Sequence, residues 1–329
     1  MTMPRRWPGL LVPLVLVLAG GLALAAATRL ARGVPHGDYA PPGLLIQAEE
    51  LKALIDRKDP NLRIIDVRHK AKYYLGHIPG AIQVWRQELE EKKPGVVSGA
   101  HLEKVLGYRG VSPKNTLVFY SDQCDHTRLW WLLAYWGFPL EQMKLLDGGM
   151  EAWKARGYAT QLTAPRLPPT AFRLPATPQR VFLAATLEEV KEARADPTRK
   201  ILVDVRSPRE YLGQENKEGA ARAGHVPGAV SVDWHDTRVA AGPDKGCWKS
   251  ALEIRKLYEA KGVTPDKDIY LYGHTPACAS CGLASLYLAG YPLEKLHLYW
   301  GSWVEWSRSK EPIKAEPPPP RPPKGAKAK

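Results

Sequence analysis

Short runs of aliphatic and aromatic residues alternate with longer stretches of helical periodicity along most of the chain. Ile64-Ile65-Asp66-Val67 and Leu117-Val118-Phe119-Tyr120 are apolar almost throughout, the pattern of strands buried on both faces. Leu129 to Trp136 and Ala284 to Leu288 read as apolar helix faces. Strand, helix, strand order of this kind predicts an α/β architecture, a parallel sheet with helices on both sides. Leu162 to Pro178 breaks the pattern with five prolines and no clear period, which marks a linker. The terminal "EPPPPRPPKGAKAK" is rich in Pro and Lys and is expected to be disordered or extended.

The pattern occurs twice. "RIIDVRHKAKYYLGHIPGAIQV" (63–84) returns as "ILVDVRSPREYLGQENKEGAARAGHVPGAVSV" (201–232), "TLVFY" returns as "DIYLY", and "LLDGGMEAW" returns as "LYWGSWVEW". The offset is 138 at the Asp, 148 at the Gly-His, 152 at the Tyr and 153 at the Trp. The second copy therefore carries an insertion of about ten residues between Asp204 and Gly224. Duplication followed by drift accounts for this. The expected organisation is an N-terminal segment over 1–35, domains over 45–160 and 181–312, a linker over 161–180 and a tail over 313–329.

At 329 residues, 44% hydrophobic and 25% charged, the chain has material for two ordinary cores. A net charge of +13 raises nucleic-acid binding as a function, but its location argues against it. Arg5, Arg6, Arg29 and Arg32 precede the first acid, Asp38, and residues 310–329 hold a further net four, leaving five for the body. No nucleic-acid face is expected. Arg5-Arg6 followed by an uncharged apolar run from Gly9 to Ala27 reads as an export segment. Small-residue cleavage sites end the run, yet its length approaches that of a bilayer span. Both a cleaved signal and a retained membrane anchor fit, and the body is expected outside the cytoplasm.

Together "IDVR…GHIPGA", a strand, a loop and "GGxxxW" resemble the rhodanese superfamily, and their repetition resembles its two-domain sulfurtransferases over about residues 45–312. "GSWVEW" is similar to the closing motif of that group's second half, and "RLWW" to the matching helix of its first. The resemblance implies two tandem rhodanese-like domains. It also implies a cysteine, just after a buried strand, that takes sulfane sulfur from thiosulfate or 3-mercaptopyruvate and passes it to a thiol or cyanide. No cofactor is implied. A tight loop of N–H groups leading into a helix suits such a thiolate.

The sequence departs from that pattern at its centre. Tyr272 to Gly290 keeps the family's spacing, so Gly273 falls where the nucleophile is expected, and the loop continues His274, Thr275, Pro276, Ala277 to Cys278. In the first copy Ser121, Asp122 and Gln123 lead to Cys124. Cys278 and Cys124 are thus the candidate sulfur carriers, each weighed against a loop cysteine in a retired site. Cys278 with Cys281 forms a Cys-x-x-Cys whose first thiol is expected to be the more acidic. An inert disulfide fits it too, as does metal handling with His274, although no fourth ligand can be assigned and no metal is assigned. Glu210 stands where an anion-holding arginine precedes Tyr211 in the family. Arg209, Arg206 and Arg128 are then the candidate anion binders. His77 and His225 in "GH[IV]PGA" read as turn residues, and Asp66 and Asp204 as partners for Arg68 and Arg206.

Overall fold

A computed structural model describes residues 39–91 and 95–316. The expected export segment and residues 317–329 lie outside the described residues. Among the described residues no helix is long and apolar enough to cross a membrane.

Two five-stranded parallel sheets form, and their orders correspond strand for strand. The first has the order β1-β5-β4-β2-β3, with β1 Leu45–Ile46, β2 Leu62–Asp66, β3 Ile82–Gln83, β4 Thr116–Tyr120 and β5 Met143–Leu146. The second has the order β6-β10-β9-β7-β8, with β6 Ala184–Ala185, β7 Lys200–Asp204, β8 Val230–Ser231, β9 Asp268–Tyr272 and β10 Leu296–Tyr299. Ile64, Ile65, Leu117, Val118 and Phe119 are buried, so the central strands have no solvent face.

The same polar joint ends both central strands. Asp66 pairs with Tyr120 in register, as Asp204 does with Tyr272. Buried Arg68 and Arg206 each close a 2.6 Å ion pair on that Asp and donate a second bond to a turn carbonyl, of Gly76 and Gly224 respectively. His77 stacks on Tyr73 and His225 on Tyr211, and both histidines bridge to later chain, at Gln161 and Lys314. They are turn residues. The Lys314 bridge, together with Ile313 packed on the second core, orders residues 313–316. These four were expected in a disordered tail, and their backbone pairing overrides a composition that looks like linker.

The two copies share one core. The Asp125–Trp136 helix of the first packs on the Pro276–Leu288 helix of the second, and Leu129, Trp130, Leu133, Leu283 and Leu286 are all fully buried in one cluster. Trp131 stacks on Trp300 at 5.2 Å, and Trp130 on Tyr287 at 6.0 Å. Eleven tryptophans against four phenylalanines have an explanation in part: Trp130, Trp131, Trp153, Trp248, Trp303 and Trp306 are fully buried. Trp130, Trp131 and Trp248 belong to the shared core, and Trp153, Trp303 and Trp306 fill the two outer ones with wide, flat side chains.

Candidate functional site

Thr127 Oγ1 and Ser280 Oγ meet at 2.9 Å. They are 153 residues apart, the offset of the repeat, so equivalent positions touch where the two helices cross. The loops that start these helices therefore face each other, and their cysteines converge. Cys124, Cys278 and Cys281 belong to one packed cluster, with the Cys124 thiol in hydrogen-bonding reach of the other two. All are free thiols. Cys124 and Cys281 are buried, while Cys278 is partly exposed.

Gly273 explains how Cys278 reaches this place. A Cβ at 273 would lie 2.8 Å from Cys278 Cβ and 3.0 Å from the Ala279 nitrogen. Real side chains do not tolerate that approach, so Cys278 occupies space that any residue larger than glycine would claim. The Gly273 and His274 carbonyls accept from Trp303 and Val304 of the closing motif, which holds the loop from behind. Pro276 is the first helical residue, and Thr275 makes no side-chain cap. The first-turn N–H groups thus have no capping side chain near Cys278, and their partial positive charge favours an anion there.

Arg238 joins the cluster, a residue that no motif or spacing had singled out. It lies in the segment between the second Gly-His turn and the Ala251–Glu259 helix, with its guanidinium 3.2 Å over the Trp248 ring. Its Nη2 donates to Cys281 Sγ at 3.4 Å and its Nη1 to the Gly246 carbonyl. Burial pushes the Cys281 thiol up, but a hydrogen bond from Cys124 and the Arg238 charge outweigh it and bring the pKa down to about 6. Cys124 goes the opposite way: burial raises it well above the ordinary thiol value, and its bonds to the other two thiols add to this. The fold thus gives Cys281 a buried guanidinium partner, a stabiliser of its thiolate form that the sequence pattern around Cys278 and Cys281 did not contain.

The first-repeat loop is closed on itself. Ser121 Oγ contacts His126 Nδ1 at 2.7 Å and the Gln123 backbone at both ends, and Asp122 pairs with Lys72 at 2.5 Å. Buried His126 is held down to about 3, first by desolvation and then by Arg238, so it is neutral. His274 is engaged by the inserted segment and by Glu210: its Nε2 meets the Glu218 carbonyl at 2.9 Å and its Nδ1 faces Glu210 at 3.9 Å. No group of His, Cys, Asp and Glu fit to hold a metal ion forms among the described residues.

The candidate anion binders separate. Arg206 is consumed by Asp204 and stacks 4.2 Å over Trp303. Arg209 is 71% exposed and faces Glu215 at 3.8 Å. Arg128 bonds the Leu89 carbonyl, faces Glu90 at 3.5 Å and lies 5.4 Å over Trp300. It lines a cleft of about 1310 Å³ that reaches Thr275, Pro276 and Ala277, the start of the Cys278 helix. A cation the sequence did not single out, Lys217 of the inserted segment, pairs with buried Glu210 at 2.7 Å and senses the charge of Cys278. Glu210 thus replaces the missing arginine by holding a lysine. Cys247 sits apart, buried beside Gly148, with its thiol raised to about 12 by burial and by Asp147 and Asp244; it is structural.

The family description "Rhodanese-like domain" matches residues 47–156 and again 186–309. The chain belongs to the rhodanese family. Its relatives include the sulfur carrier protein TtuD of Thermus thermophilus, 34% identical over 287 residues, 82% of this chain and 95% of that protein. A thiosulfate sulfurtransferase of Azotobacter vinelandii is 32% identical over 82% of this chain and 96% of its own length. A thiosulfate sulfurtransferase of Corynebacterium glutamicum is 29% identical over 82% and 89%. Among solved structures, the anaerobic ergothioneine biosynthesis enzyme from Chlorobium limicola superposes with a TM-score of 0.72 at 24% identity, over 85% of this chain and 72% of that one; it shares the fold. Two rhodanese domains in tandem place this protein among the rhodanese-type sulfurtransferases.

Proposed function

We propose that the protein moves sulfane sulfur through a persulfide on Cys278, with thiosulfate as a donor. The observation that carries this reading is that, of the three clustered thiols, Cys278 alone is open to solvent, on an uncapped first turn and in the space that Gly273 vacates. The Cys278 thiolate attacks the outer sulfur of thiosulfate, the S–S bond breaks, and its electron pair leaves with sulfite. A thiolate acceptor then attacks the outer sulfur of the persulfide and restores the Cys278 thiolate. Two substitutions replace one difficult transfer. Lys217 offers the incoming dianion a positive charge, and the cleft lined by Thr275, Pro276 and Ala277 lies beside the start of the Cys278 helix.

Peptide mass spectrometry of pre-reduced protein after exposure to thiosulfate, and separately to 3-mercaptopyruvate, tests the proposal. A cyanide-labile mass of one sulfur on Cys278, trapped by rapid quenching and absent in Cys278→Ser, is the expected result, with one sulfite or pyruvate released per chain. Neither an adduct nor release of sulfite or pyruvate from folded protein, or an adduct on Cys124 alone, overturns it. We further propose that the body works outside the cytoplasm, on the strength of Arg5-Arg6 and the uncharged run from Gly9 to Ala27. Activity of a reporter that matures only after export, fused behind residue 40, supports this, and a silent but intact fusion refutes it.

A further inference from the structure

Cys281 has no part in the transfer just described, yet it is the thiol that the fold equips with a guanidinium. It is fully buried, and Arg238 Nη2 reaches its sulfur at 3.4 Å. It follows Cys278 by three positions within the Pro276–Leu288 helix, so the two sulfurs lie one turn apart on the same face. Both are reduced, as is Cys124, which touches them from the first repeat.

We propose that Cys281 is a resolving thiol, which attacks the inner sulfur of the Cys278 persulfide, releases sulfide and closes a Cys278–Cys281 disulfide. This deepens the reading above and rests on Cys278 as the sulfur carrier. The Cys281 thiolate supplies the electron pair of the new S–S bond. The bond between the inner and outer sulfurs breaks, and its pair leaves with the outer sulfur, together with the persulfide proton, as hydrosulfide. The two thiols are oxidised and the sulfane sulfur is reduced to sulfide. A dithiol, or two equivalents of a monothiol, reopens the disulfide by attack at Cys278.

Each step has a structural counterpart. Attack needs a thiolate, and Arg238 favours that form of Cys281, whereas burial keeps Cys124 protonated and a poor nucleophile. Helix positions three apart separate their Cβ atoms by about 5–6 Å, and a disulfide requires about 3.5–4.5 Å, so the first turn must tighten. That turn starts at Thr275, whose side chain makes no capping bond, so no cap has to be broken for it to tighten. The reducing thiol meets Cys278 because Cys281 is sealed, and Cys281 then departs as the thiolate that Arg238 already stabilises. An acceptor competes with this internal attack. Donor, acceptor and reductant supply thus decide whether sulfur leaves on a thiol or as free sulfide.

The full chain, reduced and freed of reductant, is mixed with thiosulfate and, in a parallel arm, with inorganic polysulfide. Sulfite and sulfide are measured over a single turnover, and cysteines are mapped without reduction. The thiosulfate arm is expected to yield one sulfide for each sulfite, both arms a Cys278–Cys281 cross-link. Cys281→Ser and Cys281→Ala are expected to retain a cyanide-labile persulfide on Cys278 and to release sulfide at least about tenfold more slowly. A stable Cys278 persulfide in the wild type, or a cross-link through Cys124, overturns the resolving role while the carrier assignment stands. Failure of the wild type and both variants, all shown to be folded, to take sulfur from either donor overturns both.

Discussion

The chain leaves Tyr120 into Ser121, whose hydroxyl ties to His126 and folds the loop onto itself; it leaves Tyr272 into Gly273, which has no side chain to tie. The consequences diverge from there. In the first repeat the cysteine is sealed and protonated, and the flanking polar groups satisfy one another. In the second, the glycine lets a cysteine five residues on swing into the vacated space, where it meets solvent and an open helix terminus. One scaffold thus makes a loop that closes on itself or one that leaves its cysteine open to solvent, and the two part at the first residue after the strand. The closed loop is still used, because its Cys124 lies against the thiols of the open one.

The largest expected effect separates the loops outright. Cys278→Ser should lower single-turnover sulfite release by at least about a hundredfold, whereas Cys124→Ser should lower it less than about tenfold. Equal losses would erase the distinction between them. The shared seam comes next: Trp131→Ala should destabilise the protein by about 3–5 kcal/mol in denaturant titration, and both repeats should unfold in one transition. Two separate transitions in the wild type would show that the repeats do not depend on that seam.

Gly273→Ala tests the swing directly. The added Cβ meets Cys278 Cβ at 2.8 Å, and relief of that overlap should cost about 1–3 kcal/mol and most of the sulfur uptake. Gly273→Cys combined with Cys278→Gly, which removes the Cβ at 2.8 Å, should move the cyanide-labile sulfur to position 273. Unchanged uptake in Gly273→Ala would mean that Cys278 does not need the vacated space.

Acidity offers a finer test. The Cys281 pKa is depressed from 9.0 to about 6, so between those pH values the unfolded chain holds a proton that the folded one has lost. Stability should therefore rise with pH across that window, by up to about 4 kcal/mol as an upper bound. It should be lost as pH falls through 6, and His126, held at about 3 against 6.5, extends the decline into acid. Above 9 the raised Cys124 reverses the slope, because the unfolded thiol then ionises first. Arg238→Gln should flatten the rise between 6 and 9 and shift the thiolate absorbance of Cys281 to higher pH. The smallest effect is expected at the surface: Arg209→Ala should change uptake by less than about twofold, while Lys217→Ala should raise the thiosulfate KM several-fold.

Much of this was legible in the sequence because it is local. Strands such as Leu117 to Tyr120 announce themselves by unbroken apolarity, and the paired motifs give the duplication and the family. The Gly273 substitution could be read by counting from Tyr272 to Gly290. Its meaning could not, because the overlap with Cys278 depends on how one loop turns back on itself. Arg238 was invisible for a stronger reason: it is 43 residues from Cys281, in a segment without periodicity, and only the folded chain brings the two together. The anion binders failed similarly. Arg209 and Arg206 looked suitable by type, but one faces solvent and the other belongs to Asp204, whereas Lys217 acquires its position through buried Glu210.

The meeting of Thr127 with Ser280 carries a consequence of a different kind. Contact between equivalent positions is the mark of an isologous interface, the self-complementary face of a two-fold homodimer. In such an assembly every substitution is made twice and must fit against itself. Joining the halves in one polypeptide lifts that demand, and the axis already shows it, with threonine on one side and serine on the other. It also allows a sulfur cluster that strict symmetry would forbid, two cysteines from one half and one from its twin.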